Sequence, residues 1–198
     1  MKIFRLRCTL ALLSGIALLA ITAGAPALAC VGKTLHIATA GSVQQDILAN
    51  ALALLISERT GTTTKVDRFS DARAAHDAIG KADLDIVVAY TAQARSEILN
   101  KPAIAENQAL YDAVRDDYNQ NLNLVWLAPF GFSDAKLGQA APVARKDTLK
   151  KFPALARLIN KLGDIINDAT MAKLEGQVKG GKTAAEVARA FLKESKLI

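Results

Sequence analysis

The sequence predicts an α/β domain built on a mostly parallel sheet of about five strands flanked by helices. Apolar strand patterns alternate with helical patterns through residues 34–91, and strands that alternate with helices pair in parallel through right-handed crossovers. The run 85–90 is nearly all apolar, as a central strand buried on both faces should be. Ligands of such open sheets bind beyond the carboxyl ends of the strands, so function is expected at Gly41–Ser42 and Tyr90–Thr91.

The first half of the chain gives clear element signals. A strand at 34–40 is followed by an apolar helix from Gln44 that stops at Gly61, a residue type that favours helix C-termini. A second strand, 63–69, leads into a short helix for which Asp71 is the predicted N-cap. The third strand ends at Tyr90.

The second half is less regular. Residues 129–141 show no helix or strand pattern. Thr183 and Glu186 form a capping-box pattern that predicts the start of the last helix. The other predicted elements are a helix at 105–121, strands at 123–128 and 142–145, a helix at 147–162 capped by Asp147, and a helix at 169–178 capped by Asp168.

The first 29 residues have the pattern of a secretory signal peptide. Lys2, Arg5 and Arg7 precede an apolar run at 9–21, and Ala27-Leu28-Ala29 provides a cleavage site. The predicted mature chain is therefore a single periplasmic domain, residues 30–198. Removal of the three basic residues lowers the formal charge from +6 to +3, and no basic cluster supports a nucleic-acid partner.

Cys30 directly follows the predicted cleavage site, where a bacterial lipoprotein carries its acylated cysteine. Two outcomes stay open: a lipid anchor on Cys30, or soluble export with a free N-terminal thiol. Cys8 lies in the predicted signal peptide, so the mature chain has no internal disulfide and must depend on its apolar core.

The sequence lacks the patterns of common catalytic and metal centres. His36 and His76 are its only histidines, and without further cysteines no metal-ligand spacing exists. Gly41-Ser42 matches neither a phosphate-binding loop nor a nucleophile elbow. We therefore predict a protein that is not an enzyme, with no cofactor and no metal.

Binding has better support. Ser42, together with backbone N–H groups at the start of the first helix, can hold a carboxylate or another anion, or it can be a simple N-cap. Tyr90, Phe130 and Phe132 follow strand ends, where they either face a cation or pack in the ordinary way. Trp126, in the middle of a strand, is predicted to be a core residue.

Several segments resemble one transporter family. The turn Ile37-Ala-Thr-Ala-Gly-Ser-Val-Gln-Gln45 and the segment Asp83-Leu-Asp-Ile-Val-Val-Ala-Tyr-Thr91 are similar to those of the osmoprotectant (glycine betaine, choline, carnitine) substrate-binding proteins of ABC transporters. So are Asn123–Phe132 and the C-terminal blocks 141–147, 152–156 and 184–192. The resemblance covers almost the whole predicted mature chain.

That resemblance implies a type II periplasmic binding protein fold, whose ligand lies in a cleft between two lobes. Ser42, Gln45, Tyr90 and Thr91 are then expected to face the cleft from the first lobe, with Phe130 or Phe132 beside the apolar or cationic end of the ligand. This chain has only residues 130–141 where the family builds its second lobe, so a single lobe is expected. A homodimer or a partner chain is the expected source of the opposite wall.

Two functions follow from these expectations. One is the solute-binding component of an ABC transporter that captures a small quaternary amine or zwitterion and delivers it to an inner-membrane permease. The other is a periplasmic interaction module or carrier of an apolar ligand, for which Leu137, Phe130 and Phe132 are expected to form an exposed apolar patch. A degenerate pseudo-binding protein is a third possibility.

Overall fold

A computed structural model describes residues 33–163 and 165–198; the predicted signal peptide, Cys8 and Cys30 lie outside the described residues. The described strands are β1 (Leu35–Thr39), β2 (Thr64–Arg68), β3 (Ile86–Tyr90), β4 (Leu124–Trp126), β5 (Ser133–Asp134) and β6 (Gly138–Arg145). The described helices are α1 (Val43–Thr60), α2 (Ala72–Gly80), α3 (Thr91–Gln93), α4 (Asn107–Asn121), α5 (Lys146–Lys151), α6 (Leu155–Asn160), α7 (Asp168–Lys179) and α8 (Ala184–Glu194). A π-helical turn, Ala94–Ile98, continues α3.

The sheet has the strand order β2-β1-β3-β6-β4, with β5 paired to β6 outside this path. β1 pairs in parallel with β2 and β3, whereas β6 runs antiparallel to both β3 and β4. β4 therefore points the same way as β3, and β6 is the reversed strand of the main path. The predicted α/β class is confirmed, but the sheet is mixed: among the described strands two pairings are parallel, and the three made by β6 are antiparallel.

The irregular segment 129–141 contains a hairpin. β5 pairs with the first residues of β6, Ser133 with Gln139 and Asp134 with Gly138. β6 is consequently longer than the strand predicted at 142–145. The first four residues of β6, Gly-Gln-Ala-Ala, lack the alternation or β-branched residues that predict a strand, so the sequence indicated a later start.

Two apolar cores cover the two faces of the sheet. α1 and the C-terminal helices α6, α7 and α8 pack on one face, and α2 and α4 cover the other. α1 is apolar around most of its surface because the sheet lies on one side of it and α8 on another. It ends as predicted at Gly61, whose φ of 68° lies in the left-handed region.

Two helix starts in the C-terminal third differ from prediction. The predicted helix 147–162 is split into α5 and α6, because Pro153 restricts the preceding Phe152 to a non-helical backbone conformation. Asp147 lies inside α5 and does not cap it. The cap of α7 is Asn167, whose side chain accepts from the backbone N–H of Thr170, so the prediction of Asp168 as N-cap was wrong by one residue.

Other predicted caps are confirmed. Asp71 accepts from the backbone N–H of Ala74 at the start of α2. Thr183 and Glu186 form both bonds of the capping box that opens α8. These short-range signals depend on local backbone geometry, which the sequence encodes directly.

At the end of the sheet opposite the predicted ligand edge, a buried carboxylate joins separate parts of the chain. Asp85, 3% exposed, accepts from the Lys33 ammonium at 2.8 Å and from the Thr148 hydroxyl at 2.7 Å. It also accepts from the backbone N–H of His36 at 3.1 Å.

Within the described part of the chain, no helix has both the length and the apolar character needed to cross a membrane.

Candidate functional site

The carboxyl ends of β1 and β3 meet at one edge of the sheet, as their parallel pairing requires. The chain leaves β1 through Gly41, whose φ of 96° turns it directly into α1. It leaves β3 at Tyr90 and continues into α3. The predicted site residues Ser42, Gln45, Tyr90 and Thr91 are therefore brought to the same edge.

Ser42 is the N-cap of α1, and it forms a capping box with Gln45. The Ser42 hydroxyl accepts from the backbone N–H of Gln45 at 3.1 Å, and the Gln45 side-chain oxygen accepts from the Ser42 N–H at 3.4 Å. Of the two roles predicted for Ser42, the N-cap is confirmed. Its contact with a ligand stays a prediction, and the half-buried side chain remains accessible from the edge.

Gln45 is 4% exposed, and both ends of its amide are used within the chain. Its nitrogen donates to the carbonyl oxygen of Val88 in β3 at 3.0 Å, while its oxygen accepts from the Ser42 hydroxyl. The residue therefore ties the β1–α1 turn to the neighbouring strand. In this arrangement Gln45 fixes the position of Ser42 rather than presenting a free group.

Tyr90 is 1% exposed, and its hydroxyl lies against the first turn of α1. That hydroxyl donates to the side-chain oxygen of Gln44 at 2.6 Å. Burial raises the pKa of the Tyr90 phenol; a hydrogen bond with Ser42 opposes this effect, and the carboxylates of Asp134 and Glu175 add to it. The phenol thus stays protonated at neutral pH and acts as a hydrogen-bonding group.

Gln44 joins this cluster although sequence reasoning did not single it out. It lies in α1 beside the predicted Gln45, and it is half buried. The available signal was its position in the first turn of α1, two residues after the N-cap Ser42. Ser42, Gln44 and the Tyr90 hydroxyl are hereafter called the polar rim.

Thr91 is 1% exposed and is held by the β5–β6 hairpin. Its hydroxyl accepts from the backbone N–H of Gln139 at 3.0 Å. The following N–H groups of Ala92 and Gln93 both donate to the carbonyl oxygen of Leu137, at 2.9 and 3.3 Å. The structure thus brings Thr91 to the predicted edge but gives its polar groups partners within the chain.

Phe130 and Phe132 lie in the core that also contains α1. They are 1% and 4% exposed, and their rings stack with centroids 6.4 Å apart. The expectation that these rings and Leu137 form an exposed apolar patch is therefore wrong, since the hairpin and the C-terminal helices cover the two phenylalanines. Their contact with a ligand stays a prediction.

A second polar group of the edge was also missed. Asp46, in the first turn of α1, accepts from the Thr39 hydroxyl at 2.7 Å and pairs with Arg68 at the end of β2. The Asp46–Arg68 ion pair lies beside the polar rim, on the side of β2.

Among residues 33–163 and 165–198, no group of three or more His, Cys, Asp or Glu side chains is arranged to hold a metal ion.

A narrow pocket adjoins the rim on the α2 side of the sheet. His76, Val87, Gln93, Ile98 and Tyr118 are among the residues that line it. The His76 Nε2 atom is buried and has no hydrogen-bond partner in the described part of the chain. Burial lowers the pKa of this imidazole, which is therefore neutral at pH 7.

Sequence comparison gives the family. The profile described as the substrate binding domain of the ABC-type glycine betaine transport system matches residues 33–137 and 132–194. The chain belongs to this family. The two matched stretches overlap in residues 132–137, which comprise Phe132, β5 and the turn that follows β5. No curated protein sequence matches the chain.

Solved structures agree on the fold. The crystal structure of a glycine betaine/carnitine/choline ABC transporter aligns with a TM-score of 0.76 at 17% identity, over 83% of this chain and 98% of that one. Apo YehZ from Escherichia coli aligns with a TM-score of 0.76 at 13% identity, over 84% and 100%. Lactococcal OpuAC complexed with glycine betaine aligns with a TM-score of 0.51 at 12% identity, over 83% and 96%.

These likenesses identify the architecture as that of the periplasmic binding proteins. The residues that the structure describes form a single lobe-like α/β domain of this kind, as the sequence predicted. The family consists of substrate-binding domains that serve transport, which is a non-catalytic kind of protein.

Proposed function

We propose that the protein is the solute-binding component of an ABC transporter and that it captures a small quaternary amine or zwitterion at the polar rim. The observation that carries the proposal is the meeting of Ser42, Gln44 and the Tyr90 hydroxyl at the carboxyl ends of β1 and β3. In open α/β sheets this edge is the usual ligand position. Family membership supports the class of ligand.

The predicted site residues have different tasks in ligand capture. Ser42, whose side chain is half buried, contacts the ligand directly, and the Tyr90 phenol, 1% exposed, reaches the ligand only when its bond to Gln44 opens. Gln45 and Thr91 hold the two turns in place through bonds to Val88 and the hairpin. Phe130 and Phe132 pack in the core beneath the ligand edge of the sheet, and they would have to leave this core to contact a ligand directly.

A single lobe limits the affinity. An aromatic ring contributes about 0.5–1 kcal/mol to a quaternary ammonium at an exposed site and about 2 kcal/mol or more in a desolvated cage. Without a second lobe on the opposite side, one face of the bound ligand stays exposed to solvent. We propose that a second copy of the chain or a partner chain supplies the opposite wall, and that the permease in the inner membrane receives the ligand.

Localisation is part of the proposal. Export by the signal peptide at 1–29 places residues 30–198 in the periplasm, either free or anchored through Cys30. Mass spectrometry of the protein isolated from its native host separates these outcomes. An unmodified N-terminus at Cys30 supports soluble export, a diacylglyceryl adduct supports the anchor, and an uncleaved chain contradicts the prediction.

The test of ligand capture is thermal unfolding with choline, glycine betaine and carnitine at millimolar concentration. A ligand at 100 times its dissociation constant stabilises the folded state by about 2.7 kcal/mol, which shifts the midpoint by several degrees in a domain of this size. Unchanged midpoints with all three would reject direct osmoprotectant capture.

A pair of variants localises the effect. Tyr90→Phe removes the hydroxyl that contacts Gln44, and Tyr111→Phe removes one that donates to the Leu127 carbonyl at 2.8 Å on the other side of the sheet. Each variant loses one tyrosine hydroxyl hydrogen bond. Only Tyr90→Phe should reduce the ligand-induced shift.

The pocket beside α2 favours a second candidate function, a carrier of a small apolar ligand. Its wall is mainly apolar, and the unpartnered His76 Nε2 can bond one polar atom of such a ligand. Isopropanol, small enough for this narrow pocket and able to donate one hydrogen bond, is a suitable probe, titrated and followed by NMR. Shifts of residues around His76, abolished in His76→Phe, would support the carrier over the transport role; no shifts would reject it.

A further inference from the structure

The end of the sheet opposite the ligand edge brings together basic residues that are far apart in the sequence. β1, β2 and β3 begin at this end, and the antiparallel β6 finishes there. Lys33 and the segments 57–65, 80–85 and 145–151 lie at this end, and together they are hereafter called the basic end. The basic end contains eight Lys or Arg residues and four Asp or Glu residues. Its formal charge of +4 exceeds the +3 of residues 30–198 as a whole.

Contacts at Asp85 hold most of the basic end together. The buried Asp85 carboxylate accepts from the Lys33 ammonium and from the Thr148 hydroxyl of α5. The Asp85 carbonyl oxygen accepts from the backbone N–H of Arg145 at 3.1 Å. The remaining segment, 57–65, is attached through the pairing of β2 with β1. The fold thus builds one surface from distant stretches of the chain, which explains why the sequence shows no basic cluster.

The charge of the basic end is only partly neutralised within the chain. Of its four carboxylates, only Asp83 has no ion pair in the part of the chain that the structure describes. Five of its cations have none within the same residues: Arg59, Lys81, Lys146, Lys150 and Lys151. All of these except Lys146 are exposed. A surface with more unpaired cations than unpaired anions attracts anionic partners, and salt weakens that attraction.

A pocket within the basic end has donors suited to a phosphate group. Arg145 and Lys146 line it, together with the acidic Asp147. The Arg145 guanidinium donates to the Ala82 carbonyl oxygen and to Asp147, each at 3.3 Å. The Lys146 ammonium donates to the Asn119 carbonyl oxygen. A guanidinium has five N–H donors and an ammonium has three, so most of the donors of these two side chains remain available to an anionic oxygen.

The described chain also begins at the basic end. Lys33 lies three positions after Cys30, which corresponds to at most about 11 Å in a fully extended chain. An acyl anchor on Cys30, one of the two outcomes open for the exported chain, would bring the basic end to the bilayer. The headgroup of an anionic phospholipid carries a phosphodiester and a net negative charge, which match the pocket and the unpaired cations. A membrane surface is also where a component of a transport system works.

We propose that the basic end binds the headgroups of an anionic phospholipid bilayer. Each Lys or Arg close to such a surface strengthens binding about fivefold, because the surface potential is negative. The polar rim then faces away from the bilayer, toward the surrounding solution. Binding through charge is reversible, so the domain can leave the lipid surface and present the rim to a permease. This inference goes beyond the proposed function and does not depend on which solute the rim binds.

Vesicle flotation tests this binding. The protein is exported and purified with Cys30→Ser, so that no acyl chain contributes. Phosphatidylcholine vesicles with about one-third phosphatidylglycerol should retain the protein, and vesicles of pure phosphatidylcholine should not. Raising the ionic strength from about 0.1 M to about 1 M shortens the screening length from about 10 Å to about 3 Å and should release it. No retention by the anionic vesicles, equal retention by the neutral ones, or retention that survives the higher salt would overturn the proposal.

A matched pair of double variants locates the contact. Lys150→Gln with Lys151→Gln removes two exposed cations of the basic end, in the last turn of α5. Arg73→Gln with Lys136→Gln removes two exposed cations from the first turn of α2 and from the β5–β6 hairpin, at the opposite end of the sheet. The first pair should weaken binding to the anionic vesicles about fivefold or more, and the second less than about twofold. Equal losses would show that net charge alone attracts the protein and would overturn the role of the basic end.

Discussion

Substitution of Gly138 by alanine should weaken the hold of the hairpin on the rest of the domain. At a φ of 84° a non-glycine residue costs about 1–2 kcal/mol. The new methyl group would lie 2.5 Å from the Thr91 hydroxyl oxygen and 2.9 Å from the backbone nitrogen of Ala92, which cannot move away as a flexible side chain can. Such overpacking adds about 1–3 kcal/mol.

The expected total is about 2–5 kcal/mol, because the two costs arise from different causes. At about 2–4 °C per kcal/mol for a domain of 150–250 residues, the thermal midpoint should fall by about 4–20 °C. Circular dichroism during heating and urea denaturation measure the change. Hydrogen exchange at the Ala92 amide should also accelerate, since its bond to the Leu137 carbonyl is strained or lost.

Two further glycine-to-alanine variants separate strain from crowding. Gly61 has a φ of 68° and no atom within 4 Å of the position that a methyl group would take, so Gly61→Ala should cost only the conformational part, about 1–2 kcal/mol. Gly176 lies in α7 with open space around it, so Gly176→Ala should stabilise by about 0.5–1 kcal/mol. If Gly138→Ala is no worse than Gly61→Ala, the steric argument for the hairpin is refuted.

Three other variants address the rest of the fold. Asp85→Asn should cost about 2–3 kcal/mol at pH 7 in urea denaturation, as hydrogen bonds to charged groups are worth about 1.5–3 kcal/mol. Burial raises the pKa of the Asp85 carboxyl, but bonds from Lys33, Thr148 and a backbone N–H outweigh it and lower the pKa below its usual value. The stabilisation is therefore present above the unfolded pKa of about 3.9 and is lost as pH falls through the lower folded pKa, so a cost that does not shrink in acid would contradict this account. Gln45→Met keeps the side-chain length but removes the donor to the Val88 carbonyl, so it should cost about 1–3 kcal/mol. It should also speed hydrogen exchange in the β1–α1 turn. Unchanged exchange would show that the Gln45 side-chain amide does not hold this turn. Thr183→Ala removes the cap of α8 and should cost about 1 kcal/mol by the same denaturation assay, with no effect on ligand titrations.

The fold class was predictable because its signals are local. Alternating strands and helices, the apolar run of β3 and the caps at Asp71 and Thr183 each depend on a few neighbouring residues. The reversed direction of β6 was not predictable in this way. Its pairing with β3 joins residues about fifty positions or more apart in the chain, and no short pattern in the sequence records that partner.

The candidate site was also predictable only in part: the position of its residues was, and their accessibility was not. Ser42, Gln45, Tyr90 and Thr91 were expected at one edge, and the parallel pairing of β1 with β3 brings them there. Their accessibility could not be read from residue type. Whether a threonine hydroxyl or an amide is free depends on tertiary partners such as Gln139, which sequence patterns do not reveal.

The packing of α8 on α1 has a consequence for the order in which the domain folds. Val187 and Leu192 belong to the same core as the apolar α1, and Arg189 pairs with Glu58 at 3.2 Å near the end of that helix. The most apolar helix of the domain therefore lacks part of its cover until the last residues of the chain have been synthesised. A chain truncated before α8 is therefore expected to leave one side of α1 exposed and to lose much of its stability.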